Sequence, residues 1–466
     1  MSRNRLTAQQ HFPRTPAATR ARNSRRFDIG PGWLLTTYVL CLMLIPANLT
    51  IPALGSAGAP ALLIGIICLI YWLGTLLSRV ATVLRAPQGI RRAMIAFTLV
   101  VLVSYVIATV RPIEGVELSS ADRGLLLIAS WLGVVLLASD GLIGVGRVEA
   151  LLRRLVVCGG IVATVGIAQF VTGLPLVDTI QIPGLSPNNV VTSYFDRGGF
   201  TRTSGTSTHP IEFGVLLAML LPVALHFALT DNGRNAVLRW LPVIAMAMAV
   251  PTTISRSSIL AVIVVLLIVV PTWSTRQRRA AYGVIAVGVV TIYVTIPGML
   301  GTLTQLFTGI SGDGSARSRT DGYALAFDFI EKSPFFGRGF STFLPQYRIL
   351  DNQYLGLLIE VGVVGVLVLL ALFITAFGSA IRVRRMTTSA ETRSLAQGLI
   401  AMVAAGVLSF ATFDAFGFPQ VASLVFLGIG CIGALLNSQW RQSQLRDFTA
   451  PTDRGFEQPA RSDRLA

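Results

Sequence analysis

The sequence predicts an all-α polytopic integral membrane protein with about 12 transmembrane helices and a long extracytoplasmic loop before the tenth. Three observations lead there. Of 466 residues, 53% are hydrophobic and only 13% are charged, against about 25% charged in a soluble domain. The apolar residues gather into runs close to the roughly 20 residues that a spanning helix needs. The basic residues, which set a net charge of +16, sit in short clusters between those runs. They form no continuous stripe and no nucleic-acid-binding motif, so nucleic acid is not expected as a partner.

Along the chain, residues 1–31 are polar and rich in arginine (Arg14, Arg20, Arg22, Arg25, Arg26). They lack the short apolar core and small-residue cleavage site of a signal peptide and read as a disordered cytoplasmic tail. Apolar runs follow near 32–50, 59–78, 93–110, 124–139, 155–173, 209–229, 239–255, 257–273, 281–297, 353–378, 395–412 and 418–436. None alternates as a membrane barrel strand would. The first is interrupted by Pro46, and the seventh closes on Pro251, Thr252 and Thr253. The transmembrane region is thus 32–436, and residues 437–466, rich in Arg, Gln, Asp and Ser, read as a second cytoplasmic tail. Cys41, Cys68, Cys158 and Cys431 lie inside apolar runs, and the histidines are scattered. That pattern points to neither a disulfide framework nor a metal site, and no cofactor is expected.

Charge sets the expected orientation. With the N-terminus inside, the tails and alternate loops hold 28 of the 38 basic residues, among them Arg91, Arg92, Arg153, Arg154, Arg278, Arg279, Arg384 and Arg385. The balance is +19 inside and −3 outside, which the positive-inside rule reads as both termini in the cytoplasm of a cell-membrane protein. Two outer segments, about 174–208 and 298–352, are longer than connectors need to be. Within the second, Tyr323, Leu325, Ala326, Phe329 and Ile330 can share one helical face. This is either an amphipathic helix on the membrane surface or a short helix packed on the span tops.

A charge at a bilayer centre costs about 2.5–3.5 kcal/mol on insertion scales, so its placement carries information. Glu212 lies one turn inside the sixth run, Glu360 about two turns inside the tenth, and Arg256 at the junction of the seventh and eighth. All fall toward the outer side, with Arg197, Arg202, Arg317, Arg319, Asp351 and Asp414. Guanidinium groups pair with phosphate through two parallel hydrogen bonds and stay charged. A site between outer loop and span tops suits an amphiphile with its tail in lipid and a phosphorylated head at the arginines. Gly337 and Gly339 read as a turn, because no phosphate-loop context surrounds them.

Four segments carry a resemblance. RTSGTSTHPIEFGVLLAMLLPVAL begins at Arg202, and TTISRSSILAVIVVLLI contains Arg256. RTDGYALAFDFIEKSPFFGRGFSTF contains Arg319 and Tyr323, and DNQYLGLLIEVGVVGVLVLL runs from Asp351 through Asn352 and Glu360. In this order, over roughly 200–375, they resemble the motifs of the O-antigen ligase and Wzy-type polymerase superfamily. The resemblance implies extracytoplasmic transfer of a glycan from a polyprenyl-diphosphate-linked donor to an acceptor hydroxyl, on a glycan or a lipid, without metal or nucleotide sugar. It implies Arg202 and Arg256 as the donor-diphosphate residues, with Arg319, Tyr323, Asn352 and Glu360 as further candidates. Asp351 stands where many ligases have a histidine proposed to activate the acceptor. Asp351 can be that base, although a free carboxylate with a pKa near ~4 is a weaker one. Equally, it can cap the tenth span. The competing class is a membrane transporter of a small anion or a lipid-linked saccharide, which places polar residues and broken helices near the midplane.

Overall fold

Apolar helices build most of the described residues, with two longer connections, 173–209 and 333–352, between them. The computed structural model describes residues 30–77, 88–188, 195–197, 199–308 and 314–449. The N-terminal tail and residues 450–466 lie outside the described residues. The helices are α1 (Pro31–Leu44), α2 (Pro60–Leu77), α3 (Gly89–Val110), α4 (Gly115–Gly141), α5 (Val145–Thr172), α6 (Pro210–Thr230), α7 (Ala236–Thr252), α8 (Arg256–Val269), α9 (Thr275–Thr295), α10 (Met299–Thr308), α11 (Gly314–Lys332), α12 (Gln353–Glu360), α13 (Gly362–Met386), α14 (Ala390–Ser409) and α15 (Pro419–Thr449). Two small antiparallel pairs complete the described fold: β1 (Leu49–Thr50) with β2 (Ser186–Pro187), and β3 (Phe195–Arg197) with β4 (Phe200–Arg202).

Among the described residues, nine helices are long and apolar enough to cross a membrane: α2, α3, α4, α5, α6, α9, α13, α14 and α15. Three shorter apolar helices, at Pro31–Leu44, Ala236–Thr252 and Arg256–Thr272, fall on the first, seventh and eighth runs of the sequence. The chain is an all-α polytopic membrane protein. The apolar window of α15 is wholly buried, and that of α6 nearly so. α15 packs against α4, α13 and α14, and α6 against α7, α8 and α14. By contrast α9 buries no residue and stands at the periphery.

Two boundaries differ from the sequence reading. The tenth run, 353–378, is two helices, because Gly362 takes φ +66 and turns the chain between α12 and α13. α15 stays helical to Thr449, so residues 437–449 are helix and not tail. Asn437 fastens the polar turn to α4 by donating from Nδ2 to Ser139 O at 2.8 Å, while the Ser438 hydroxyl bonds back within α15 to Ala434 O.

One end of the bundle gathers the ends of many elements. There the C-termini of α1, α3, α7 and α14 meet the N-termini of α4, α6, α8, α13 and α15, as the cross-links below show. The opposite end carries ion pairs of the basic clusters, Arg91–Asp140 and Arg153–Asp231.

Candidate functional site

The break between α7 and α8 is written locally. Pro251 has no N–H to give, and Thr252 and Thr253 turn their hydroxyls back on Ala249 O and Val250 O, both at 2.7 Å. Ser255 then caps α8 by accepting from Ser258 N. Between them Ile254 is held at φ +43, fully buried against Met299 and Leu306 of α10. A β-branched residue there stores about 1–3 kcal/mol of strain, which its packing must offset.

Arg202 and Arg256 converge on this break. Arg202, at the end of β4 and 8% exposed, donates from Nε to Thr253 O at 2.8 Å. Its neighbour Thr203 pairs with Thr252 through both hydroxyls, 2.7 Å apart. Arg256, in the first turn of α8, donates from Nε to Leu306 O. One guanidinium therefore ties the break to the loop before α6, and the other ties it to α10.

His209 stands beside Arg202 and was not singled out by the sequence reading. It caps α6, accepting from Ile211 N–H through Nδ1 at 3.1 Å, with Pro210 as the first helical residue. Burial first, and then the Arg202 charge, push its pKa down to about 4. At neutral pH the ring is uncharged, and with Nδ1 accepting, the proton resides on Nε2. Its other face meets Phe418, centroids 5.9 Å apart, in the turn that precedes α15. A signal was present in the sequence: histidine directly before proline at a helix start.

A second group of functional candidates lies under the loop 333–350. Arg338 N–H donates to Ile359 O at 2.9 Å and Gly339 N–H to Glu360 O at 3.0 Å. In return, Val363 and Val364, whose N–H groups open α13, donate to Pro334 O and Phe335 O at 2.9 and 3.1 Å. The loop thus satisfies the amides a helix start leaves without partners. Gly337 (φ +69) permits this approach, since a Cβ there would lie 2.2 Å from the carbonyl carbon of Glu360. The far side of the loop is fastened to α4 and α3: buried Glu117 takes Arg338 at 2.5 Å, Arg111 at 2.7 Å and the Tyr347 hydroxyl. α11 packs on the same region through Ala326, Phe329 and Ile330 against Leu350, Leu355 and Ile359. Of the two readings for that amphipathic segment, packing on the helix ends is the one seen.

Under the loop is a cavity of about 180 Å3 lined by Glu360, Asp414, Asn352, Arg348 and Arg123. Asp414 faces this space from deep inside the protein. Burial pushes its pKa up to about 6, the Gly417 N–H opposes the shift, and the Asp351 carboxylate adds to it. Asp351 itself is half-buried. Its alternative reading as the helix cap is corrected by the structure: Asn352 caps α12, its Oδ1 accepting from Tyr354 and Leu355 N–H at 3.0 and 3.2 Å. Glu360 accepts from Phe343 N–H at 3.3 Å, while its own carbonyl takes Ser104 Oγ at 2.6 Å.

Glu212 has a structural task. Its oxygens accept from Thr208 N and Oγ1 at 3.0 and 2.9 Å and from Gln420 N at 2.8 Å. Gln420 reaches on to Leu42 O at 2.8 Å and takes Ser207 Oγ at 2.5 Å. This knot locks α1, α6 and α15 together beneath the site.

The structure therefore joins Arg202 with Arg256, and Asp351 with Asp414, Asn352 and Glu360, in two groups at one bundle end. Tyr323 is 42% exposed on the outer side of α11. The side chain of Arg319 lies outside the described residues. Among the described residues no group of three or more His, Cys, Asp or Glu is placed to hold a metal ion.

Comparison with known proteins adds one finding. Residues 241–370, from within α7 to within α13, match the protein-family model described as O-antigen ligase. The match spans Arg256, Asp351, Asn352 and Glu360, and it leaves Arg202, Asp414 and Arg123 outside. No curated protein matches the chain. Over residues 241–370 the chain is thus similar to the O-antigen ligase family.

Proposed function

We propose that this protein transfers a glycan from a polyprenyl-diphosphate-linked donor to an acceptor hydroxyl at the outer face of the cell membrane, in cell-surface polysaccharide assembly. The observation that carries the reading is the convergence of Arg202 and Arg256 on one strained helix break, at the same bundle end as the Asp351–Asp414 cavity. The arginine balance of the sequence puts that end outside and both termini in the cytoplasm.

In this mechanism the two guanidinium groups hold the donor diphosphate, with the neutral His209 beside Arg202. A carboxylate of the Asp351–Asp414 pair takes the proton of the acceptor hydroxyl. The oxygen attacks the anomeric carbon, its bond to the diphosphate breaks, and the polyprenyl diphosphate leaves with the electron pair. The proton stays on the carboxylate until solvent removes it. Diphosphate is already a good leaving group, so positioning and charge stabilisation supply most of the catalysis. Two neighbouring carboxylates also answer the weakness of a lone aspartate: burial and mutual repulsion bring one of them closer to neutral pH.

The breaks at α7–α8 and α12–α13 also favour a second reading, since transporters build sites from discontinuous helices. Against it, the polar groups gather at one end instead of the middle. The deciding experiment is transfer in proteoliposomes with a polyprenyl-diphosphate glycan and candidate acceptors. Arg256→Ala should lower donor-dependent turnover roughly 10- to 150-fold, the worth of one charged hydrogen bond. Lysine should rescue poorly, because it cannot pair bidentately. Full activity of Arg256→Ala at normal expression refutes the donor assignment, and glycan uptake without transfer favours the transporter.

A further inference from the structure

A second cavity, of about 200 Å3, adjoins the first; the family match does not reach it, and of the four sequence motifs the first touches it, through Thr208. It lies between α1, α2, α4 and α15. β1 and β2 cross above it, with Asn188 N–H donating to Asn48 O at 2.9 Å. Arg123, Leu127 and Gly417 line both cavities. Arg123 sits in the third turn of α4, and its Nε is buried with no hydrogen-bond partner. Among the described residues it makes no ion pair. The two cavities differ in charge: the first holds Glu360 and Asp414, whereas in the second Arg123 is the one charged residue of the lining among the described residues.

A half-buried cation whose Nε is sealed from water without a partner loses part of its solvation, and a ligand that supplies the counter-charge recovers that cost. The rest of the second cavity sets what else the ligand carries. Asn48, Asn188, Thr208 and Ser130 offer neutral hydrogen-bonding groups, and Tyr38 and Trp131 form aromatic wall. Hydroxyl-rich rings suit that mixture, and the volume admits a fragment the size of one ring and not a drug-sized ligand.

We propose that this cavity is a subsite for an oxyanion substituent, carboxylate or phosphate, on a saccharide unit of the transferred or accepting glycan, with Arg123 as its specificity-determining residue. The proposal rests on the glycan-transfer reading for its biological ligand. The anion preference itself does not.

The test is equilibrium binding to the purified full chain in detergent, with glucuronate, glucose and inorganic phosphate as probes. Wild type should bind glucuronate or phosphate at least roughly 10-fold tighter than glucose, as expected of one charged hydrogen bond. A preference for glucuronate assigns a carboxylate substituent, and binding of phosphate alone assigns a phosphate. Arg123→Gln should erase the preference, and Arg123→Lys should keep part of it. Asn48→Asp, which leaves Arg123 in place but supplies a carboxylate inside the cavity, should erase it as well, and it decides the matter if Arg123→Gln fails to fold. Equal affinity for all three probes, no binding of any, or an unchanged preference in a folded Arg123→Gln or Asn48→Asp overturns the subsite. These measurements need no turnover. An inactive protein that prefers glucuronate therefore refutes the transfer reading alone, and an active one without preference refutes the subsite alone.

Discussion

Replacing Gly337 by alanine tests whether the loop 333–350 is locked to the α12–α13 junction by backbone contact. Two costs follow from the structure. Residue 337 sits at φ +69, where an L-residue pays about 1–2 kcal/mol. The added Cβ would also fall 2.2 Å from Glu360 C, 2.3 Å from Glu360 O and 2.5 Å from Val361 N. These are backbone atoms, so relief requires moving the loop or the helix end, which in packed interiors costs about 1–3 kcal/mol. Together the loss is about 2–5 kcal/mol. The control is Gly378→Ala in α13, where nothing lies within 4 Å of the new Cβ and φ is ordinary. A mid-helix glycine gives back about 0.5–1 kcal/mol on becoming alanine. Membrane proteins of this size commonly unfold irreversibly, so the comparison is of apparent melting midpoints in one detergent at one scan rate. Gly337→Ala should melt several degrees below wild type and Gly378→Ala at or slightly above it. Melting of Gly337→Ala together with wild type refutes the contact, and with it the placement of Glu360 and the Asp414 cavity.

Further expectations concern orientation and the carboxylates. On a cysteine-free background, Gln346→Cys should react with an impermeant label in intact cells and Gln442→Cys only after permeabilisation; the reverse pattern puts the site on the wrong side of the membrane. Asp351→Asn should keep the fold and lose about 10²- to 10⁴-fold in turnover, as for a base, and full activity removes Asp351 from the chemistry. Because Asn352 holds the cap, Asn352→Ala should cost about 1 kcal/mol of stability, and Asp351→Ala should not show that loss. Asp414 binds its proton more tightly folded than unfolded, so its burden on the fold is full above about pH 6 and fades as pH falls toward its ordinary 3.8; His209, held near 4, acts in the opposite sense below its ordinary 6.5. The melting midpoint of wild type minus that of Asp414→Asn should therefore rise between pH 7.5 and 5, and a flat difference contradicts the buried placement of Asp414.

The apolar runs were readable because lipid-facing and core-facing residues alike are hydrophobic, so helix existence follows from composition alone. Where helices stop was harder. Val361 and Gly362 are inconspicuous inside an apolar run, and only the approach of the 333–339 loop reveals why the chain turns there. Arg202 and Arg256 were legible as motif arginines, but their shared attachment to the break depends on carbonyls that carry no side-chain signature. Asp351 and Asn352 are both good caps one residue apart, and geometry alone chooses Asn352. Arg123 left no trace in the sequence: it is a single charge near the start of an apolar run. Its meaning comes from a cavity assembled from residues as distant as Tyr38 and Ser423.

The brevity of α1, α7 and α8 has a consequence for the lipid around them. At 1.5 Å per residue, the 14 residues of α1 reach about 21 Å, and the 17 of α7 and of Arg256–Thr272 about 26 Å. A hydrocarbon core of about 30 Å is thicker than any of them. Helices too short for the bilayer draw the headgroup plane inward, at a cost of fractions of a kcal/mol per ångström. A dimple beside the α7–α8 junction would bring the headgroup level down to the arginines. A long-chain phospholipid would then meet them without its tail leaving the hydrocarbon, and membrane thickness becomes a setting that tunes access to the protein.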